Sequence, residues 1–351
     1  MGGRLLAADP KPRIRAEVTP GRLPPGRRHA IGLDLGGGSA KVGLVDVAGE
    51  VAGWTPILTP SSTDPEVVLG AFAAGVERML DLAGALRLQV VALGCGVPGN
   101  LDPSAGTITI NNIRALDGFP VRDWLVRRFG LPTVLDNDSC AAAIGELSAL
   151  RNPPRRCLFV AVGTGIGVVL LVDGEVVRLF EGVTGDASHL LVNHSEPPSD
   201  LRCALGCRGC LETVASGLAI DRDALDAARR GESPALAATL ASGGTVAGRD
   251  VSVAAESGDV RSREIILRAG RWLGIGLASW AVVYRPEVAI LGGGVARAGE
   301  PWRAAAEEEM LRRGIPFYVE AIEVRLATLG NTAGMIGAAL SALRRAGAPR
   351  A

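Results

Sequence analysis

The sequence predicts an α/β protein whose basic unit is built twice, giving two lobes of similar design. Three observations carry this. The order strand, glycine turn, strand, short turn, strand runs through residues 29–56 and again through 156–180. Helical patterns alternate with the later buried strands, as a sheet covered by helices requires. At 351 residues the chain is long enough for two cores.

Residues 1–29 are rich in Arg, Pro and Gly and lack apolar periodicity. They read as a disordered extension, with no room for a helix-turn-helix domain ahead of the first strand. The first lobe is expected over 30–146 and takes in a C-terminal helix at about 332–346. The second, over 147–331, carries a Cys/His loop.

A buried strand over 29–35 enters the turn Gly36-Gly37-Gly38-Ser39, and strands follow over 40–46 and to about 56. A helix over 64–86 sets Val67, Val68, Phe72, Val76 and Leu80 on one face. A strand over 89–96 ends in Gly96-Val97-Pro98-Gly99. A loop with Asn111 and Asn112 then leads to a helix over 121–129. The strand 131–138 runs straight into a small-residue helix over 139–146, leaving Asn137 and Asp138 where strand becomes helix. An open α/β sheet offers its ligand crevice there, and helix N–H groups favour an anion there. Asp138 is also the residue type of an ordinary N-cap.

The second cycle has a strand over 156–162, the turn Gly163-Thr164-Gly165-Ile166-Gly167 and a strand over 168–172. Asp173-Gly174 makes a two-residue hairpin turn into a strand over 175–180. The glycine turn is no dinucleotide fingerprint, because that motif must open a helix and β-branched residues follow here. It is either a plain tight turn or an anion-holding nest of backbone N–H groups; two in matching places favour a two-jawed phosphate clamp. Helices over 210–229 and 263–284 flank a mixed segment. A strand over 286–291 ends in Gly292-Gly293-Gly294, which either packs closely or seats a purine. A helix over 295–313, a strand over 322–326 and a helix over 332–345 close the chain.

Charge is balanced, 37 basic against 37 acidic residues, so nothing points to nucleic acid or an anionic membrane. The longest apolar run, 157–172, is glycine-studded and falls short of a membrane span. The N-terminus lacks a signal peptide's apolar core. Six cysteines are too few for a disulfide scaffold, and Cys203, Cys207 and Cys210 cluster as a metal site in a reducing compartment would. A cytoplasmic setting is expected.

With these pieces placed, the chain resembles the ROK family of sugar kinases and related repressors. Residues 31–41, Ile-Gly-Leu-Asp-Leu-Gly-Gly-Gly-Ser-Ala-Lys, look like that family's DxGGTK phosphate turn. Gly96-Val-Pro-Gly99 with Asp102 is similar to GxPGxxD, and Asp136-Asn137-Asp138 to its END motif. Gly163 to Gly167 looks like the second phosphate turn, Gly185-Asp-Ala-Ser-His189 stands for GExGH, and Gly206-Cys-Arg-Gly-Cys-Leu-Glu212 matches GxxGCxE. Pro286 to Gly294 resembles the adenosine segment.

The resemblance implies a duplicated ribonuclease-H-like (actin-like ATPase) fold with a ligand cleft between two lobes. The implied activity is ATP-dependent phosphorylation of a hexose or amino-sugar hydroxyl. Asp138 would be the general base, and Asn112, Asn137, Asp186, His189 and Glu212 would hold the sugar. Asp34 would help hold Mg²⁺. Gly36, Gly37, Gly38, Ser39 and Lys41, with Gly163, Thr164, Gly165 and Gly167, would hold the phosphates, and Gly292, Gly293 and Gly294 the adenosine. Zn²⁺ would sit on His189, Cys203, Cys207 and Cys210; Leu205 stands where the family has a cysteine, so either Cys207 replaces it through a rearranged loop or the metal is lost. The family suggests a homodimer. Gly38 replaces a Thr, and Asp186 is one methylene shorter than the family Glu. These two departures motivate the alternative, a non-catalytic sugar- or nucleotide-binding relative without a DNA-binding domain.

Overall fold

A computed structural model describes residues 28–109, 112–179, 186–192, 201–203 and 205–347. The extension expected over 1–29 lies outside the described residues up to position 27, as do Asn111 and Gly185. The chain divides into two units, 1–149 with 332–351, and 150–331.

The first unit contains β1 (Arg28–Asp34), β2 (Ser39–Asp46), β3 (Val51–Leu58), α1 (Pro65–Ala85) and β4 (Gln89–Val97). It continues with β5 (Asn100–Asp102), β6 (Thr107–Thr109), α2 (Val121–Phe129), β7 (Thr133–Asn137) and α3 (Asp138–Ser148). Its main sheet runs β3-β2-β1-β4-β7; β2 is antiparallel to β1 and β3, and β4 is parallel to β1 and β7. Central β1 is buried from His29 to Leu33, which is why its sequence is a nearly unbroken apolar run. Helix α1 is capped by the Asp64 side chain, with Pro65 opening its first turn. It buries Val68, Leu69, Phe72, Val76 and Met79, so the core stripe lies one residue round from the expected one. Val67 is half-exposed; at 3.6 residues per turn it sits about 140° from Phe72. The β5–β6 hairpin is an element that the sequence pattern did not reveal.

The second unit contains β8 (Arg156–Val162), β9 (Ile166–Val172), β10 (Glu175–Val176), α4 (Glu212–Ala215), α5 (Gly217–Arg229), α6 (Pro234–Ala241) and α7 (Gly248–Glu256). It ends with α8 (Val260–Tyr284), β11 (Val288–Gly292), α9 (Glu300–Arg313), α10 (Pro316–Val319) and β12 (Glu323–Leu326). The sheet order is β10-β9-β8-β11-β12, with β9 antiparallel to β8 and β10, and β11 parallel to β8 and β12. Strand for strand this repeats the order and directions of the first sheet, and the duplicated ribonuclease-H-like fold is what the chain adopts.

Three expected elements of the second unit differ. The helix foreseen over 210–229 breaks at Ser216, whose extended backbone lets its hydroxyl accept the Ala219 N–H and start α5 afresh. The helix foreseen over 295–313 breaks at Gly299, which has φ 70° and ψ −153°, and Pro301 then opens α9. The strand foreseen over 175–180 is shorter: it is in register with β9 at Glu175 and Val176, and Val177 N–H still donates to the Leu170 carbonyl at 2.8 Å. Asp173 and Gly174 both take positive φ, 51° and 80°, as the two-residue hairpin turn requires.

Helix α8 is long and apolar enough to cross a membrane by length and composition. In this fold it is a core helix: Leu273, Leu277, Trp280 and Ala281 are buried, and α9 lies across it. The last helix, α11 (Ala333–Arg345), belongs to the first unit, lying on β1 and β4 and beside α3. The approach is close because Gly32 and Gly94 leave no side chain under the backbone carbonyls of Met335 and Ala338.

Candidate active site

Two carboxylates stand at the ends of strands that flank β4. Asp34 closes β1, and Asp138 opens α3 directly after β7. Gly96 of β4 lies between them: a Cβ there would sit 3.6 Å from the Asp138 Cα and 3.6 Å from Asp34 Oδ1. On the other side Asp34 fills the space where Gly334 of α11 has no side chain. Asn137, not Asp138, is the N-cap. Its Oδ1 accepts the N–H groups of Ser139 (3.0 Å) and Cys140 (3.4 Å), and its Nδ2 donates to the Gly99 carbonyl at 3.3 Å. Asp138 Oδ1 accepts from Ser139 N–H at 2.7 Å and Ser139 Oγ at 3.3 Å.

Burial pushes the Asp34 carboxyl up to about 6; Lys41 opposes the shift and the Asp138 charge adds to it. Asp138 is also raised, by loss of solvation, against the Ser139 hydrogen bonds that favour its charged form. A pair of neighbouring carboxylates with raised affinity for protons suits two tasks, accepting a proton and holding a cation.

The first glycine turn is fastened from behind. The Thr59 hydroxyl donates to the Gly36 carbonyl at 2.6 Å, and the Thr59 N–H donates to the Gly38 carbonyl at 3.2 Å. Lys41 Nζ reaches the Ser39 carbonyl at 3.4 Å. Asn112 lies beside the turn, within 3.1 Å of where a Gly37 Cβ would be, whereas a Cβ on Gly38 would meet nothing within 4 Å.

The second unit presents its turn between β8 and β9, with Gly167 already paired to Ala161 in the ladder. Gly163 N–H donates to the Gly165 carbonyl at 2.9 Å. The N-terminus of α5 donates into the turn, Gly217 N–H to Gly163 O (2.7 Å) and Leu218 N–H to Thr164 O (3.4 Å). Glu212 Oε2 accepts the Ile166 N–H at 3.0 Å and lies so close to Gly165 that a side chain there would overlap it. Gly292 lies under the Phe159 ring, and Gly293, at φ 85°, lies against the Val162 backbone, so both pack on β8. Gly294 faces open space.

His189, Cys203, Cys207 and Cys210 come together: all four ligand atoms lie within 4.8 Å of one another. His189 Nδ1 is 3.6 Å from Cys203 Sγ and 3.3 Å from Cys207 Sγ, and the two sulfurs are 3.1 Å apart. Gly206, at φ 89°, turns the loop so that Cys203 N–H meets the Cys207 carbonyl at 3.0 Å and Leu205 points outward. Asp186 precedes the short 3₁₀ turn Ala187–His189. Trp280 Nε1 donates to the Ala187 carbonyl at 3.3 Å, tying this segment to α8.

The first unit thus holds Asp34, Gly36 to Ser39, Lys41, Asn112, Asn137 and Asp138; the second holds the remaining predicted residues. Thr59 and Gly334 were not foreseen. Gly96 is expected as the start of the Gly96-Val97-Pro98-Gly99 turn, but its place between the two carboxylates is not.

The ROK family model matches residues 30–345. A glucokinase of Halalkalibacterium halodurans is 29% identical over 88% of this chain and 93% of its own length. A ROK hexokinase from Thermus thermophilus has 34% identity and a TM-score of 0.74, covering 90% of this chain and 98% of that one. A ROK family glucokinase from Streptomyces griseus, solved in complex with glucose and AMPPNP, has 30% identity and a TM-score of 0.74 over 90% of this chain and 99% of that one. A match along nearly the whole described chain, with the same fold in both relatives of solved structure, places the protein: it belongs to the ROK family.

Proposed function

We propose that this chain, a sugar kinase, transfers the terminal phosphoryl group of ATP to a hydroxyl of a hexose or amino sugar, with Asp138 as general base. The observation behind this reading is the carboxylate pair at the ends of β1 and β7, where Asn137 does the capping and leaves Asp138 for chemistry. As the new O–P bond forms, Asp138 takes the proton of the attacking hydroxyl and ADP departs. Phosphoryl transfer is mainly positioning and charge neutralisation, and bound Mg²⁺ supplies part of that neutralisation. Asp34 is the residue suited to hold the ion, because burial deprives its carboxylate of solvation that a bound cation would offset. The two glycine turns take the phosphates and Gly294 the adenosine side. Asn112, Asn137, Asp186, His189 and Glu212 bind sugar hydroxyls. A coupled ADP-release assay over hexoses and amino sugars tests the reading. If the wild type turned over no sugar and matched Asp138→Asn, the protein would be a binding relative instead.

The raised proton affinity of Asp138 fixes the sign of the pH response. A base must be unprotonated to act, so kcat/KM falls as pH drops through its pKa in the free enzyme. Burial places that acid limb above the ordinary carboxylate range near 4. A pH profile of kcat/KM that stayed flat down to about 4 would contradict the burial of this group.

The His and three-Cys set fits structural zinc, which takes four N/S ligands in a closed site. Purified protein is expected to carry about one equivalent, and Cys207→Ser to lose most of it. Metal analysis of both proteins decides the point; full occupancy in the variant would show that Cys207 is not a ligand. A metal site built on clustered cysteines suits a reducing, cytoplasmic setting; a homodimer rests on the family resemblance.

A further inference from the structure

The two glycine turns are held in different ways. In the second, the N-terminus of α5 and the Glu212 carboxylate grip the backbone. In the first, one residue binds two turn carbonyls: Thr59 reaches Gly36 O with its hydroxyl and Gly38 O with its N–H. Thr59 follows β3, 23 residues beyond Gly36 in the chain. A trans peptide points its C=O and N–H in opposite directions. With the carbonyls of Gly36 and Gly38 turned to Thr59, the N–H groups of Gly37 and Ser39 turn the other way. Two N–H groups aimed to one side of a glycine turn are the makings of an anion nest. Gly38 brings no side chain of its own and meets nothing within 4 Å, so the turn has little else to fix it.

We propose that Thr59 is a positioning residue for the nucleotide: its hydroxyl holds the first glycine turn in the form that presents N–H groups to phosphate. This rests on reading that turn as a phosphate site. The hydroxyl is the replaceable half of the grip, since the Thr59 N–H survives any substitution but proline.

Titration of Mg·AMPPNP into Thr59→Val and Thr59→Ser, beside steady-state kinetics, tests it. Thr59→Val keeps the branched shape and removes one hydrogen bond. It should weaken Mg·AMPPNP binding about tenfold and raise KM for ATP by a similar factor. KM for the sugar and the melting temperature of the nucleotide-free protein should stay within error. Thr59→Ser should restore nucleotide affinity. Equal affinity in Thr59→Val and wild type would overturn the inference alone. So would a loss that Thr59→Ser does not repair, or one that follows a fall in melting temperature. Wild-type protein that binds no Mg·AMPPNP would overturn the phosphate-site reading itself.

Discussion

Asp138→Asn is expected to lower kcat by about 10²- to 10⁴-fold, the usual worth of a positioned general base, while KM for the sugar changes little. The substitution separates chemistry from capping. Were Asp138 only the cap of α3, asparagine would serve as well, since the two rank together at that position. The cap belongs to Asn137, whose Oδ1 takes the Ser139 and Cys140 N–H groups. The side-chain carbonyl of the substituted residue can still accept the Ser139 N–H that Asp138 accepts at 2.7 Å, so the fold should not suffer. Residual turnover should remain, because the glycine turns still position the phosphates and the Mg²⁺ that Asp34 would hold still neutralises part of their charge. Steady-state kinetics with the best sugar of the panel, and a melting curve of the variant, make the measurement. A variant within threefold of wild type would remove Asp138 from the reaction.

Gly94→Ala should destabilise the protein by about 3 kcal/mol, at the upper end of overpacking costs. For units of this size that lowers the melting temperature by roughly 6–12 °C. The added methyl would overlap the Ala338 carbonyl of α11, and its other near neighbour is the Ala339 backbone nitrogen. Backbone atoms of a packed helix have nowhere to move without dragging α11 off β1 and β4. Gly70→Ala is the control: this residue is exposed in α1, with nothing within 4 Å of the new methyl. It should be neutral or stabilise by up to about 1 kcal/mol. Equal melting of the two variants would mean that the close approach of α11 to the sheet is wrong.

Much of this architecture was legible because it rests on short-range rules. Apolar runs such as Ala30-Ile31-Gly32-Leu33 announce buried strands, and Asp173-Gly174 announces its turn. The same rules fail where one residue overrides a longer pattern. Ser216 and Gly299 each sit inside a stretch whose periodicity is helical on both sides, and their backbone angles end the helix. Val67 misled because it is apolar and neighbours the true stripe. At the site, residue types and glycine spacing pointed to the turns, the carboxylates and the Cys/His loop. Leu205 with Cys207 shows the limit: with leucine in place of a cysteine the sequence left open whether a metal set survives, and the Gly206 turn draws Cys207 inward. Thr59 was beyond reach, since nothing local says that a threonine after a strand will meet a glycine 23 positions earlier.

The second unit is one continuous stretch of chain, whereas the first is closed by a helix made from residues 333–345. During synthesis, β1 and β4 leave the ribosome long before the helix that covers them exists. The later unit can settle cotranslationally, while the earlier one must wait for that helix with an apolar sheet face unshielded. Deleting only the closing helix should therefore leave a product that chaperones retain, although every strand of both sheets is present.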